Sequence, residues 1–449
     1  MRLTTDRRPP GPKGMPFLGN LLDFRRDVLR YYSEWARQYG DIVALRLGPW
    51  PAVMLNHSDY IEYVLVDHHR NFIKFPFFFR HVDAIFGQGL LTSEGELWQR
   101  QRRLMAPAFQ AQRLAGYGKT MVRHTERILA HWQPGDVRDV HADMMALTLG
   151  VAAKTLFDAD TDESVAEIGQ AFNAIADEIA IRIPRPFRIP DAVPTPGNIR
   201  YLRAVRRIDR LVTRIIQERR RHGGDRGDLL SMLIAARDDE GRPMTDRQLR
   251  DEVITLLLAG HETTALALSW TWYLLSQHPG VDAKLAAELR DVLGGRAPTV
   301  TDLPNLRFTE QAAKEAMRLY PPAWGFGREA IADCEIGGYA VPAGTTIIIS
   351  PWVLHRDPRH FEHPSEFRPE RWSGDLARRL PRFVYIPFGG GPRICIGNRF
   401  AMMEAVLILA TIAQRFRLEW QKDQPMVPLP SITLRPKGGV WVKPVPRAR

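Results

Sequence analysis

Phe388-Gly389-Gly390-Gly391-Pro392-Arg393-Ile394-Cys395-Ile396-Gly397 sets one cysteine in a glycine-rich loop just ahead of an apolar helical pattern. The chain has two cysteines, Cys334 and Cys395, far apart and in unlike surroundings, so zinc-finger, CxxC redox and c-type haem-attachment spacings are all absent. A lone thiolate suits an iron already held by a porphyrin. Glycines let backbone N–H groups approach the sulfur, and with the start of the following helix these donors would keep it ionised. The alternative for an isolated cysteine is a buried structural thiol. A phosphate cradle is excluded, because no Gly-Lys-Ser/Thr follows and no GxGxxG joins a strand to a helix.

The spacing decides between thiolate ligand and structural thiol. With Phe388, Gly391, Arg393, Cys395 and Gly397 all in place, the segment resembles the cytochrome P450 signature, and the resemblance extends from about Pro9 to Val445. It implies a mostly α fold with small β-sheets (α+β), a triangular helical domain around a buried haem b. Cys395 would be the axial ligand of the haem iron, with Phe388 packed beside the thiolate, where a plain core role is the alternative.

Whole-chain properties agree with an enzyme of this size. At 449 residues, 45% apolar and 25% charged, the chain is globular, neither disordered nor fibrous. Its formal charge of +11 is spread along the sequence without a nucleic-acid module, so no nucleic-acid partner is expected. A basic face would instead speed encounter with an acidic electron donor, the alternative being charge that serves general solubility. No run approaches the ~18 apolar residues that span a bilayer, and no signal peptide is evident. Residues 1–20 form a proline-rich segment that resembles the hinge following the anchor of microsomal relatives, and 21–449 read as one catalytic domain. Two unpaired cysteines fit a reducing compartment, the cytoplasm.

Along the chain, Ile42 to Leu47 and Ala52 to Leu55 flank Gly48-Pro49-Trp50-Pro51 and predict a β-hairpin. Arg100 to about Gln277 is mostly helical, broken at Pro184 to Pro196 and at His222 to Gly227. Strand signals return at Ala340 to Ser350 and Ile432 to Val442.

Thr245-x-x-Gln248 is a capping-box signal, after which apolar residues recur at helical spacing until Pro279-Gly280. Roughly thirty residues would reach about 45 Å, so this helix must run through the core. Inside it lies Ala259-Gly260-His261-Glu262-Thr263-Thr264, polar groups that are costly to bury without partners or purpose. One reading is structural, with Thr263 bonded back to a carbonyl one turn earlier and Glu262 paired with a base. The other follows from the resemblance to the family's oxygen-binding segment. Gly260 would leave room for O2, Thr263 would hold a water, and Glu262 would feed protons inward with access to solvent. His261 is expected at the surface or in a salt link.

Trp98 and Arg102 share one helix face, and by the resemblance they, Arg328 and Arg393 would meet the haem propionates. Glu315 and Arg318 resemble the family's Glu-x-x-Arg element, and Arg371 of Phe367-Arg368-Pro369-Glu370-Arg371-Trp372 would complete a structural network presenting the cysteine loop. The helix after Cys395 carries an ordinary core stripe. The aromatic run Phe72 to Phe79, followed by Phe86, reads as an exposed recognition loop or as core filling. Phe79, Phe86, Ala259, Ala323 and Trp324 are the pocket candidates, nearly all apolar, which suits a lipophilic substrate.

The family resemblance implies a haem-thiolate monooxygenase that inserts one oxygen atom from O2 into a terpenoid or carotenoid, or into a fatty acid or alkane. Electrons would come from a separate ferredoxin or flavodoxin-like protein with its reductase, and the protein is expected to be a monomer. The alternatives are a haem-binding gas sensor and a peroxide-using or isomerising relative; Thr263 argues against the latter.

Overall fold

The computed structural model describes residues 7–76, 81–158, 162–182, 189–224, 226–374, 376–421 and 426–447. Among them, ten helices have eleven residues or more: α1 Leu21–Tyr39, α2 Gly95–Met105, α3 Ala111–Leu129, α4 Val140–Phe157, α5 Asp162–Arg182, α6 Pro196–His222, α7 Asp246–Gln277, α8 Pro279–Leu293, α9 Arg307–Leu319 and α10 Asn398–Ala413. The strands are β1 Ile42–Leu47, β2 Trp50–Leu55, β3 Phe72–Lys74, β4 Arg138–Asp139, β5 Phe326–Ala330, β6 Cys334–Ile336, β7 Tyr339–Val341, β8 Thr346–Ile349, β9 Phe416–Trp420, β10 Val427–Pro430, β11 Leu434–Lys437 and β12 Trp441–Pro446. The main sheet runs β1-β2-β8-β5-β3.

The hairpin starts closer to its turn than the sequence suggests. Leu47 pairs with Trp50, leaving Gly48-Pro49 as a two-residue loop in which Gly48 takes φ +65°. β2 pairs in parallel with β8, whose four residues are all buried; this explains the continuous β-branched run. The expected strand from Ala340 to Ser350 is two strands, because Pro342 and Gly344, at φ +79°, turn the chain between β7 and β8. The expected strand near Ile432 to Val442 is likewise divided into β11 and β12. The proline-rich segment lies along the sheet, with Pro10 accepting from the Ala44 N–H (2.7 Å) and Arg7 from the Ala340 N–H (2.9 Å).

α7 is the axis of the helical layer. Both halves of its capping box form: the Gln248 N–H donates to the Thr245 hydroxyl (3.2 Å), and the Thr245 N–H to the Gln248 side chain (3.0 Å). Its 32 residues correspond to about 48 Å. Pro279 ends the pattern and is the first residue of α8, where its missing N–H costs nothing. α7 packs against α4, α6, α9 and α10. Among the described residues it is the one helix long and apolar enough to cross a membrane, and 72% of its most apolar window is buried within the fold.

α9 carries the network that fixes the approach to the cysteine loop. The fully buried Arg318 guanidinium donates to both Glu315 oxygens (2.9 Å each) and to the carbonyls of His355 (2.8 Å), Pro364 (2.7 Å) and Glu366 (3.0 Å). Arg371 Nε (2.8 Å), Trp372 Nε1 (2.9 Å) and the Arg368 N–H (3.1 Å) also donate to Glu315. His355 then accepts from the Ile386 N–H through Nε2 (2.9 Å), two residues before Phe388. Burial, with Arg318 and Arg356 nearby, pushes the His355 ring down to about 3, so it is the neutral acceptor this bond requires.

Glu315→Ala leaves the Arg318 charge buried and uncompensated. It is expected to cost about 3 to 5 kcal/mol in denaturant unfolding and to yield protein that does not retain haem; a stably haem-loaded variant would refute it. His355 also sets a pH dependence. The unfolded chain takes up a proton near pH 6.5 and the native ring does not, so stability falls as pH drops from about 6.5 toward about 3, by up to ~1.4 kcal/mol per unit from this ring. Unfolding curves of His355→Gln are expected to lose that component of the slope.

Candidate active site

A cavity of about 1250 Å³ lies between α7, α10 and the main sheet. Cys395 stands on one side, accessible from the cavity, and Ala259-Gly260 of α7 also line it. The cysteine loop is a tight structure. The Cys395 N–H donates to the Phe388 carbonyl (2.9 Å), and the Ile394 N–H to that of Gly391 (3.1 Å). Gly391 takes φ +68°, and a Cβ there would run into the Leu65 carbonyl; this position therefore requires glycine. Burial pushes the Cys395 thiol up, while a hydrogen bond from the Gly397 N–H and the nearby Arg102 act in the opposite direction. A coordinated iron would complete the ionisation.

Cationic side chains crowd one part of the cavity. Burial and the neighbouring Arg393 push Arg328 down to about 10 and Lys74 down to about 7. Lys74 donates to the Leu90 (3.0 Å) and Ser93 (2.9 Å) carbonyls. Glu94 bonds Arg393 and accepts from the Lys74 N–H (2.7 Å). Arg393 lies 4.2 Å over the Trp98 ring, and Arg102 donates to the Ile394 carbonyl (2.7 Å), tying α2 to the cysteine loop. Several desolvated cations around one carboxylate suit a ligand that brings its own anions, as the two propionates of a haem would. No cluster of three or more His, Cys, Asp or Glu capable of holding a metal ion occurs among the described residues. The donor set therefore fits an iron held by a porphyrin and one thiolate.

On the α7 side of the same cavity, a Cβ on Gly260 would meet nothing within 4 Å, so the helix leaves open space there. The Thr263 hydroxyl donates to the Ala259 carbonyl (2.7 Å), the local bond that the sequence offers as its structural reading. Glu262 is partly exposed, and it is also engaged in an ion pair. Its carboxylate accepts from Thr433 (2.7 Å) and from Arg435 Nε (2.6 Å) and Nη2 (2.5 Å), both from the β10–β11 hairpin and its turn. Burial pushes Glu262 up, but Arg435 and Thr433 outweigh it and hold the carboxyl below its usual range. His261, by contrast, is not at the surface. It is 2% exposed, stacks on Phe172, and burial pushes it down to about 4.

Phe86, Ala259, Ala323 and Trp324 line the cavity together with Phe388. Phe79 lies outside the described residues. The aromatic run before it is not an exposed loop where it is described, since Phe72 is buried in β3 and Phe75 lines the cavity. Sequence reasoning missed Lys74, whose signal was a lone cation inside an apolar run, and Arg435, whose partner lies 173 residues away. It also passed over Glu404 on α10, 1% exposed, whose carboxyl burial pushes well above its usual range while Thr264 opposes the shift.

The cytochrome P450 family profile matches residues 9–442. The chain belongs to the cytochrome P450 family. It is 40% identical to cyclooctatin synthase of Streptomyces melanosporofaciens over 434 residues, covering 96% of this chain and 92% of that one. It is 35% identical to pentalenene oxygenase of Streptomyces avermitilis, covering 94% of each. The retinoic acid-bound cyanobacterial CYP120A1 structure superposes with a TM-score of 0.88 at 26% identity, covering 99% of this chain and 100% of the other. This P450 is a haem b-dependent monooxygenase that acts on a lipophilic substrate with O2 and a separate redox partner.

In this P450, Arg435 neutralises Glu262 across the cavity wall. Arg435→Met is expected to destabilise the protein by about 3 to 5 kcal/mol in denaturant unfolding, with most of the loss restored in the Glu262→Gln/Arg435→Met double variant. An equal loss in both would show that Arg435 acts through packing alone.

Proposed function

We propose that the substrate is a neutral terpenoid, hydroxylated or epoxidised over the haem. The observation that carries this reading is the apolar wall of the cavity, which Phe86, Phe172, Ile175, Ile179 and Trp324 line together with Gly260. Such a wall seats a hydrocarbon frame by shape. The names of the cyclooctatin and pentalenene enzymes point to the same chemistry.

Cys395 would ligate the iron, with Trp98, Arg102, Arg328 and Arg393 at the propionates and Lys74 beside them. The haem, when bound, supplies oxygen activation and insertion. Around it the chain's work is positional and protic. Gly260 keeps the helix clear, Thr263 presents a hydroxyl whose bond to Ala259 can be exchanged for one to a water, and Glu262 hands on protons once its link to Arg435 loosens. Phe388 would pack beside the Cys395 sulfur and keep water from it. Glu315, Arg318 and Arg371 hold the loop in place.

An acidic ferredoxin or flavodoxin-like protein, with its reductase, would supply electrons to a monomer in the cytoplasm. The +11 charge favours such an encounter. Residues 21–449 would act as one catalytic unit with 1–20 as its proline-rich lead.

The substrate reading is tested by titrating the ferric protein with cyclic terpenes, alkanes and fatty acids while following the Soret band, then assaying turnover with reductase and ferredoxin. A saturable shift with cyclic terpenes, followed by an oxygen-dependent product, is expected. Saturation and turnover with fatty acids alone would overturn it.

A further inference from the structure

Trp324 lines the cavity that takes the haem, and its ring is the first of a row of four that leads out along α1. Its centroid lies 6.2 Å from that of Tyr32, Tyr32 lies 6.1 Å from Trp35, and Trp35 lies 5.5 Å from Tyr31. These are contact spacings for aromatic rings. The helix sets the last two steps, since Tyr32 and Trp35 are three residues apart and Tyr31 and Trp35 four. Trp324, Tyr32 and Trp35 are buried, whereas Tyr31 is partly exposed. Indole and phenol are the side-chain rings most readily oxidised by one electron, so the row joins an oxidising centre to solvent.

A second row starts at Trp352, also in the cavity wall, and runs through Tyr320 (6.2 Å) to Trp270, stacked on it at 4.1 Å. The two rows differ in charge. The Arg356 guanidinium sits 3.4 Å over Trp352 and 5.8 Å over Tyr320, and a cation on a ring face makes an electron harder to remove. Among the described residues no cation lies over any ring of the first row. Protons also favour its outer end. The Trp324 Nε1–H donates to the Ser431 carbonyl (2.9 Å), which cannot take the proton, and burial pushes the Tyr32 phenol up. An electron vacancy therefore does not settle on either ring, whereas an oxidised Tyr31 can release its phenolic proton to water.

We propose a second activity for this P450: Trp324, Tyr32, Trp35 and Tyr31 carry oxidising equivalents from the haem pocket to the surface, where a small thiol spends them, a thiol peroxidase with its outlet at Tyr31. Hydrogen peroxide oxidises the haem by two electrons and leaves as one water. In each passage one electron moves inward along the row, and Tyr31 ends one electron short, its proton given to water. A thiol restores Tyr31 with a hydrogen atom, and two thiyl radicals pair as a disulfide. Two passages return both electrons, while two protons enter at the haem pocket, so one peroxide and two thiols become two waters and one disulfide. The row thus protects the pocket when no substrate is oxidised, whichever lipophilic class the cavity takes.

The test mixes the full-length, haem-loaded ferric protein with hydrogen peroxide in the absence of substrate. A nitroso spin trap followed by fragmentation of the tryptic peptide 31–37 locates the radical, and separate reactions follow glutathione oxidation and bleaching of the Soret band. In the parent, a Tyr31 adduct and peroxide-dependent glutathione oxidation are expected. Trp35→Phe, which breaks the row but keeps Tyr31, is expected to lose the Tyr31 adduct and most of the glutathione oxidation and to bleach faster. Tyr31→Phe removes only a partly exposed hydroxyl, so it keeps the test decisive should Trp35→Phe disturb the core; it is expected to lose glutathione oxidation likewise. Reduced carbon-monoxide spectra of both variants should match the parent. An equal Tyr31 adduct in the parent and Trp35→Phe would show a diffusing oxidant and overturn the proposal. Adducts on Trp352 or Tyr320 with none on Tyr31 would give the outlet to the second row and overturn it, as would unchanged glutathione oxidation in both variants.

Discussion

Glu315 accepts five hydrogen bonds on two oxygens, and the placement of the cysteine depends on that one carboxylate. It fixes Arg318, whose remaining donors hold the His355, Pro364 and Glu366 carbonyls; His355 in turn holds the backbone at Ile386. The Glu315–Arg318, Arg318–His355 and His355–Ile386 links are buried, so each partner would be left with an unsatisfied charge or dipole if another moved. A loop of glycines has little stiffness of its own. Its rigidity here is borrowed from α9, and from the contact that brings Gly391 against Leu65.

The cavity places unlike electrostatics around one space. Arg328, Arg393, Lys74 and Arg102 crowd one part of it, and burial weakens the hold of Arg328 and Lys74 on their protons. Three titratable groups on the facing helices α7 and α10 respond to different surroundings. Glu262 stays ionised because Arg435 and Thr433 face it, His261 stays neutral because Phe172 and the core cover it, and Glu404 on α10 has only Thr264 to moderate its burial. The charge of Glu262 is therefore controlled by a β-hairpin that also forms part of the substrate wall, so wall and acid share one ion pair.

Features whose cause lies within a few residues were legible in the sequence. The capping box at Thr245, the stop at Pro279 and the glycine-rich Cys395 loop ahead of its helix are set by local backbone chemistry and take the expected form, and the hairpin turn falls at the expected place but is two residues long, since Trp50 and Pro51 join the strand. The Glu315, Arg318 and Arg371 association also follows from the motifs, although its five-bond geometry does not. Features set by distant partners were not legible. Nothing near Glu262 announces Arg435, and nothing near His261 announces that Phe172 will cover it. Lys74 looks like an ordinary surface cation until the pairing of β3 with β5 brings it opposite Arg328. Glu404 sits in a helix whose apolar stripe is otherwise unremarkable, and its burial follows from the tertiary fit of α10 alone.

The parallel pairing of β2 with β8 has a consequence for how the chain is made. The partner of Ala52–Leu55 is Thr346–Ile349, nearly three hundred residues later, and β8 also separates β2 from β5. A ribosome releases the first two strands long before their neighbour exists, leaving the β2 edge unpaired while the helical middle is translated. Arg102 waits almost as long, since the Ile394 carbonyl that it holds lies 292 residues away. Cofactor capture is thus a late event in biosynthesis, after the sheet has closed and the last third of the chain has emerged.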